Sequence, residues 1–160
     1  MVYRAVVFRL RDHFKVVKEV ARHLLRRPVV GIAAAAKTAD GRWVLVRRGD
    51  TGQWALPGGT LEWGETLRGA IVRELAEEAG IEQVKLGDVV GVYSAPHRDE
   101  RFHAVTVVVA ADVGEPVRPP ANPVEIMEVG LFVEAELPAT LAYDMGAMLE
   151  NARIGRHFWE

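Results

Sequence analysis

The stretch from Gly58 to Ile81 constrains this chain more than any other. Two adjacent glycines, Gly58-Gly59, lead to Gly64-Glu65-Thr66. Thr66 is placed to cap a helix running to about Ala79, with Gly80 as its left-handed stop. At about 100° per residue, Glu74, Glu77 and Glu78 share an arc of about 100°, and Val72, Leu75, Ala76 and Ala79 share a similar arc roughly opposite. The helix is therefore expected to bury the second set and to present the carboxylates from its other face. Like charges this close repel. A solvated acidic face is one account of them. The other is a hard divalent cation, which turns the repulsion into attraction because Mg²⁺ and Mn²⁺ prefer carboxylate oxygens. The Gly-Gly turn allows backbone to approach a phosphate or to offer a carbonyl to a metal. Arg73 adjoins the acids as an ion-pair partner or a phosphate contact. Together these features fit metal-assisted phosphoryl chemistry, in which a carboxylate takes the proton of an activated water.

Strand signals flank this helix. Val29–Lys37 reads as a buried strand of small residues, Ala39-Asp40-Gly41 as a turn, and Arg42–Arg48 as a second strand, so Val29–Arg48 reads as a hairpin. Val84–Ser94, His103–Val113 and Glu125–Val133 are strand-like, and the Pro-rich Gly114–Pro123 is a loop. A last helix is expected over about Ala139–Arg153. Residues Arg11–Arg27 have helical periodicity and stop at Pro28, so residues 1–28 read as an N-terminal helical extension and 29–160 as the functional domain. The element order suggests an α+β or mixed α/β fold. At 160 residues the chain suits one domain. With no cysteine, disulfides, thiolate metal sites and thiol nucleophiles are excluded. The uncharged apolar runs are about half the ~20 residues that cross a bilayer, so no membrane partner is expected. A formal charge of −2 argues against a dedicated nucleic-acid binder. The four tryptophans read as packing or loop anchors, and the five histidines show no paired ligand spacing.

Gly59, Glu65, Arg73-Glu74-Leu75, Glu77-Glu78 and Gly80-Ile81 match every fixed position of the Nudix box, so the chain resembles the Nudix hydrolases over about residues 29–153. That resemblance implies an α/β/α sandwich around a mixed sheet, with the box as loop–helix–loop. It implies hydrolysis of a nucleoside diphosphate linked to a further group, using Mg²⁺ or Mn²⁺. Carried over by position, Glu74, Glu77 and Glu78 correspond to metal ligands, with the Gly59 carbonyl as an addition. Arg73 and Glu65 would orient that set. Glu74 is the candidate base within the box and Glu125 the candidate outside it.

Substrate choice lies outside the box. Pro96, fifteen residues past Ile81, and the charged segment Tyr93–His103 resemble the ADP-ribose pyrophosphatase subgroup. Arg47, Pro96, Arg98 and Arg101 are the substrate-contact candidates, with Tyr93 or Phe102 available to stack on a base. ADP-ribose or a related nucleotide sugar is the expected substrate, giving AMP and a sugar phosphate. Alternatives are a MutT-like hydrolase of (oxidised) nucleoside triphosphates and a non-catalytic nucleotide-sensing module. The expected partner is a small nucleotide, in a cytoplasmic setting, with a homodimer as one arrangement to which the N-terminal helix would contribute.

Overall fold

The computed structural model describes Lys18 and residues 27–160. The helix expected over Arg11–Arg27 falls outside the described residues except for Lys18 and Arg27. Eight strands and two α-helices follow: β1 (Val29–Thr38), β2 (Trp43–Arg48), β3 (Trp54–Ala55), β4 (Gly58–Thr60), α1 (Leu67–Glu78), β5 (Val84–Tyr93), β6 (Ala104–Val113), β7 (Ile126–Phe132), α2 (Met145–Arg153) and β8 (Phe158–Trp159). The sheet order is β3-β2-β1-β6-β5-β8, with β4 also on β1 and β7 also on β2. The sheet is mixed, since β1 runs parallel to β6 over all ten residues of each and antiparallel to β2 and β4. Among the described residues no helix is long and apolar enough to cross a membrane.

The small residues of β1 have a packing reason. Ile32, Ala34 and Ala36 join the cluster that includes Ile71 and Leu75 of α1 and Ala79 at its C-terminal cap. The alternating Ala33 and Ala35 join the cluster that includes Met148 and Leu149 of α2. A strand covered by a helix on each face has little room for long side chains. The result is a three-layer sandwich with β1 at its centre. The expected hairpin is limited in extent. β1 and β2 pair as Lys37↔Trp43 at the turn, after which β2 leaves to pair with β3 and β7.

The box helix starts and stops where its end residues direct. The Thr66 hydroxyl accepts a hydrogen bond from the Gly69 amide at 3.1 Å, and Gly80 has φ +64°. A Cβ on Gly80 would also collide with the Arg118 carbonyl oxygen, whereas Gly41, at φ +88°, faces open space. Gly80→Ala is therefore expected to cost about 2–4 kcal/mol and Gly41→Ala about 1 kcal/mol, measured as denaturation midpoints. Equal losses at the two sites would remove the steric argument.

Two expectations are corrected. The buried stripe of α1 is Ala70, Ile71, Glu74, Leu75 and Glu78, while Val72 is exposed. The helix is thus rotated so that two of its three carboxylates face inward. The last helix begins at Met145, not near Ala139, because Tyr143 and Asp144 adopt left-handed backbone (φ 54° and 55°). Isolated non-glycine residues tolerate that region, but a right-handed helix cannot contain it. Of the tryptophans, Trp43 is buried and Trp54 meets Phe132 edge-on, but Trp63 and Trp159 project into solvent.

Candidate active site

α1 carries its glutamates against β4, where glycines leave them room. A Cβ at Gly59 would run into the Glu74 carboxylate, and one at Gly58 would strike the Ile32 carbonyl. The Gly58 amide donates to Glu78 Oε2 at 2.8 Å. Arg73 acts as the neighbouring clamp. It donates to both Glu65 oxygens at 2.8 and 3.0 Å, to Glu74 Oε1 at 2.9 Å and to Glu77 Oε2 at 3.4 Å. The Glu62 amide fixes Glu65 from the other side at 3.0 Å. Five donors thus hold the box carboxylates in one region of the fold, and the Glu65–Arg73 pair is bidentate, the geometry that best restricts both partners.

Burial dominates the electrostatics. It pushes the Glu78 carboxyl up to about 8, helped by the charges of Glu74 and Glu125 and opposed by the Gly58 amide and Arg48. Burial also raises Glu74, against the pull of Arg73. Arg73 holds Glu65 down at about 2. Burial thus raises the two inward acids, with repulsion from neighbouring glutamates adding to it.

Glu74 borders a cleft of about 400 Å³, with the buried Glu78 behind its lining and 3.6 Å from the lining residue Arg48. Glu74, Glu77, Gly59 and Arg73 line one side, and Glu125, just before β7, lines it as well. The lining also includes Arg98 and Arg101, from the loop between β5 and β6, and Tyr143. Arg98 is paired with Asp144 and with Glu160, its Nε lying 2.9 Å from Glu160 Oε1, and stacks over Tyr93. Arg101 is paired with Asp99 and stacks on Tyr143, 3.9 Å from the ring centroid.

Not every residue singled out from the sequence reaches this cleft. Arg47 lies outside it, donating to the Gly52 carbonyl at 3.2 Å and to Glu128 at 3.4 Å. Pro96 is exposed beside the lining residue Ala95. The arginine of β2 that does line the cleft is Arg48. Strand alternation explains the exchange. Val44 and Val46 face the α1 side and Trp43 and Leu45 the α2 side, so Arg48 follows the first set and Arg47 the second. Counting in twos from the buried valines was the available signal. Arg48 sits 3.6 Å from Glu78 and 3.7 Å from Glu125.

Among the described residues no three His, Asp or Glu side chains gather around one ion position, each box glutamate being engaged by protein donors. The donor chemistry nevertheless fits a hard divalent cation. Glu74, Glu77, Glu78 and Glu125 supply only carboxylate oxygens, Glu74 and Glu78 are buried, and the pairs Glu74–Glu125 and Glu78–Glu125 repel. No thiolate ligand is available, since the chain has no cysteine.

Comparison with known proteins adds family context. A profile described as the NUDIX domain matches residues 25–152. The chain is 43% identical over 77 residues to an ADP-ribose pyrophosphatase of Methanocaldococcus jannaschii, covering 46% of this chain and 45% of that one. It is 38% identical over 76 residues to a CTP pyrophosphohydrolase of Escherichia coli, covering 45% and 53%. The chain thus covers less than two thirds of the length of these curated relatives. In structure it resembles an ADP-ribose pyrophosphatase of Streptococcus suis, with TM-score 0.63, 25% identity, and coverage of 84% of this chain and 100% of that one.

Proposed function

The chain belongs to the Nudix family, and from that premise we propose that it is a divalent-metal-dependent pyrophosphohydrolase acting on ADP-ribose or a related nucleotide sugar. The observation that carries this proposal is the cleft itself, lined by Glu74, Glu77 and Glu125 together with Arg98 and Arg101. With a divalent cation on the carboxylates, the negative charge of a diphosphate would be answered by the ion and by the arginines.

Glu74, Glu77 and Glu78 would hold Mg²⁺ or Mn²⁺, with the Gly59 carbonyl available beside them. A bound divalent cation supplies charge neutralisation at phosphate oxygens and a more acidic water. Arg73 and Glu65 keep the carboxylates oriented. Glu125 is the proton acceptor in this proposal. It lines the cleft with a half-exposed side chain, whereas Glu74 is engaged by Arg73 and Glu78 by the Gly58 amide. A carboxylate oxygen of Glu125 takes the proton as water oxygen bonds to one phosphorus. The bond from that phosphorus to the bridging oxygen breaks, and AMP and a sugar phosphate separate. Arg98 and Arg101 orient the far end of the nucleotide.

Two points support ADP-ribose: the loop bearing Arg98 and Arg101, and the relative from Methanocaldococcus jannaschii. The Escherichia coli relative supports the second reading, hydrolysis of a nucleoside triphosphate. A panel of ADP-ribose, other nucleotide sugars, dinucleotides and nucleoside triphosphates, with products identified, separates them. The expected result is AMP from ADP-ribose with kcat/KM at least about tenfold above any triphosphate, a margin of the kind that buried polar contacts readily supply. Turnover of triphosphates alone would overturn the assignment.

A further inference from the structure

Arg48 stands between two sets of acids. On one side Asp50 takes it in a bidentate grip, with Nε to Oδ1 at 3.1 Å and Nη2 to Oδ2 at 3.2 Å. On the other side Glu78 and Glu125 lie at 3.6 and 3.7 Å, within ion-pair range but beyond a hydrogen bond. The guanidinium is mostly buried and stays charged, so it needs acidic partners, and its hydrogen bonds go to Asp50 while Glu78 and Glu125 lie farther off. Asp50 is itself fixed from three further directions. Tyr143 donates its hydroxyl to Oδ2 at 2.5 Å, Arg101 lies 3.4 Å away, and the Thr51 amide donates to Oδ1 at 2.9 Å. Two of these partners, Arg101 and Tyr143, lie 51 and 93 positions away in the chain. Asp50 is therefore the fixed member of the arrangement and Arg48 the tethered one.

We propose that Asp50 is a positioning residue that tethers Arg48 away from Glu78 and Glu125, leaving Glu78 to a divalent cation and Glu125 free to accept a proton. The inference rests on the proposal that the box glutamates hold such an ion. Without Asp50, the guanidinium closes the short remaining distance to the two glutamates. It then occupies, as an internal cation, the charge that a metal would otherwise neutralise. Two cations cannot share the same carboxylates without repelling each other strongly at such short range. Asp50 touches none of the box residues, and its bidentate partner is Arg48, so in this proposal its effect on metal affinity passes through Arg48.

The test is a double-mutant cycle on the full chain: wild type, D50N, R48Q and R48Q/D50N, each titrated with Mn²⁺ alone in a calorimeter, without substrate. D50N is expected to weaken Mn²⁺ binding about tenfold, R48Q to leave it within about threefold or tighten it, and D50N to have little further effect once Arg48 is gone. D50E, which keeps the acceptor, is expected to restore most of the affinity. A D50N loss of equal size in both backgrounds would show that Asp50 acts by its own charge and would overturn the proposal. So would a weakened R48Q, which alone decides the matter if the Asp50 variants do not fold. Wild type that binds no Mn²⁺ would instead defeat the metal assignment on which this inference stands.

Discussion

A Glu78→Gln variant is expected to lose at least about 10³-fold in kcat/KM while keeping its fold. Glutamine has the same shape, and its amide oxygen can still accept from the Gly58 amide, now at 2.8 Å from Glu78 Oε2. What it lacks is the negative charge that a hard cation requires. Its side-chain nitrogen also cannot bind such an ion. The stability readout should move the other way. At pH 9 the wild-type carboxyl, with its pKa pushed up to about 8, carries a buried charge that glutamine does not. Metal-free Glu78→Gln is therefore expected to melt higher than wild type at pH 9 and to lose that advantage near pH 5. Steady-state kinetics and thermal melts measure the two halves. Activity within tenfold of wild type would remove Glu78 from the metal site.

The second large effect is a pH dependence of stability in the metal-free protein. Burial pushes the folded Glu78 carboxyl up to about 8, against an ordinary value of about 4.5 in the unfolded chain. Between those limits the folded state binds the extra proton, so its stability falls as pH rises. This contribution is fully present below about 4.5 and is lost as pH passes through about 8. Glu74 is raised by the same cause and adds in the same direction. Glu65 and Glu160, both held near 2 by arginine partners, act oppositely: their contribution is present above the ordinary carboxylate range and is lost as pH falls toward 2. The melting temperature is expected to fall by roughly 5 °C or more from pH 6 to pH 9. Saturating Mn²⁺ should flatten or invert that slope, because the ion binds the deprotonated carboxylates. Thermal melts across pH, with and without Mn²⁺, check both statements. A flat metal-free profile would mean that no proton is held by the inward acids.

The ends of the box helix were legible because their signals are local. A threonine hydroxyl three residues ahead of its partner amide, and a glycine at the stop, report backbone geometry directly. The rotation of the helix was not local. The arc of Val72, Leu75, Ala76 and Ala79 is a sound apolar face in isolation, but the sheet takes Ile71 and leaves Val72 exposed. Space beside the glycines of β4 lets carboxylates into the buried stripe, and no helical periodicity encodes that space. The choice between Arg47 and Arg48 was encoded, in the two-residue alternation of β2. Asp50 and Tyr143 were not, since one hydrogen bond joins positions 93 residues apart across two loops. Strands of two or three residues, such as β3, β4 and β8, carry too few side chains for any period to show.

The long parallel ladder at the centre of the sheet has a kinetic consequence. Every residue of β1 pairs with one 75 positions further along, from Val29↔Ala104 to Thr38↔Val113. Closing so large a loop is entropically expensive before any reward arrives, so the collapse that creates this core belongs to the slower, millisecond-to-second class of small-domain folding. Until the later strand emerges from synthesis, the run Gly31-Ile32-Ala33-Ala34-Ala35-Ala36 has no long-range neighbour on that edge. A nascent chain halted before Ala104 therefore exposes an uncharged strand edge, the surface on which misassembly begins.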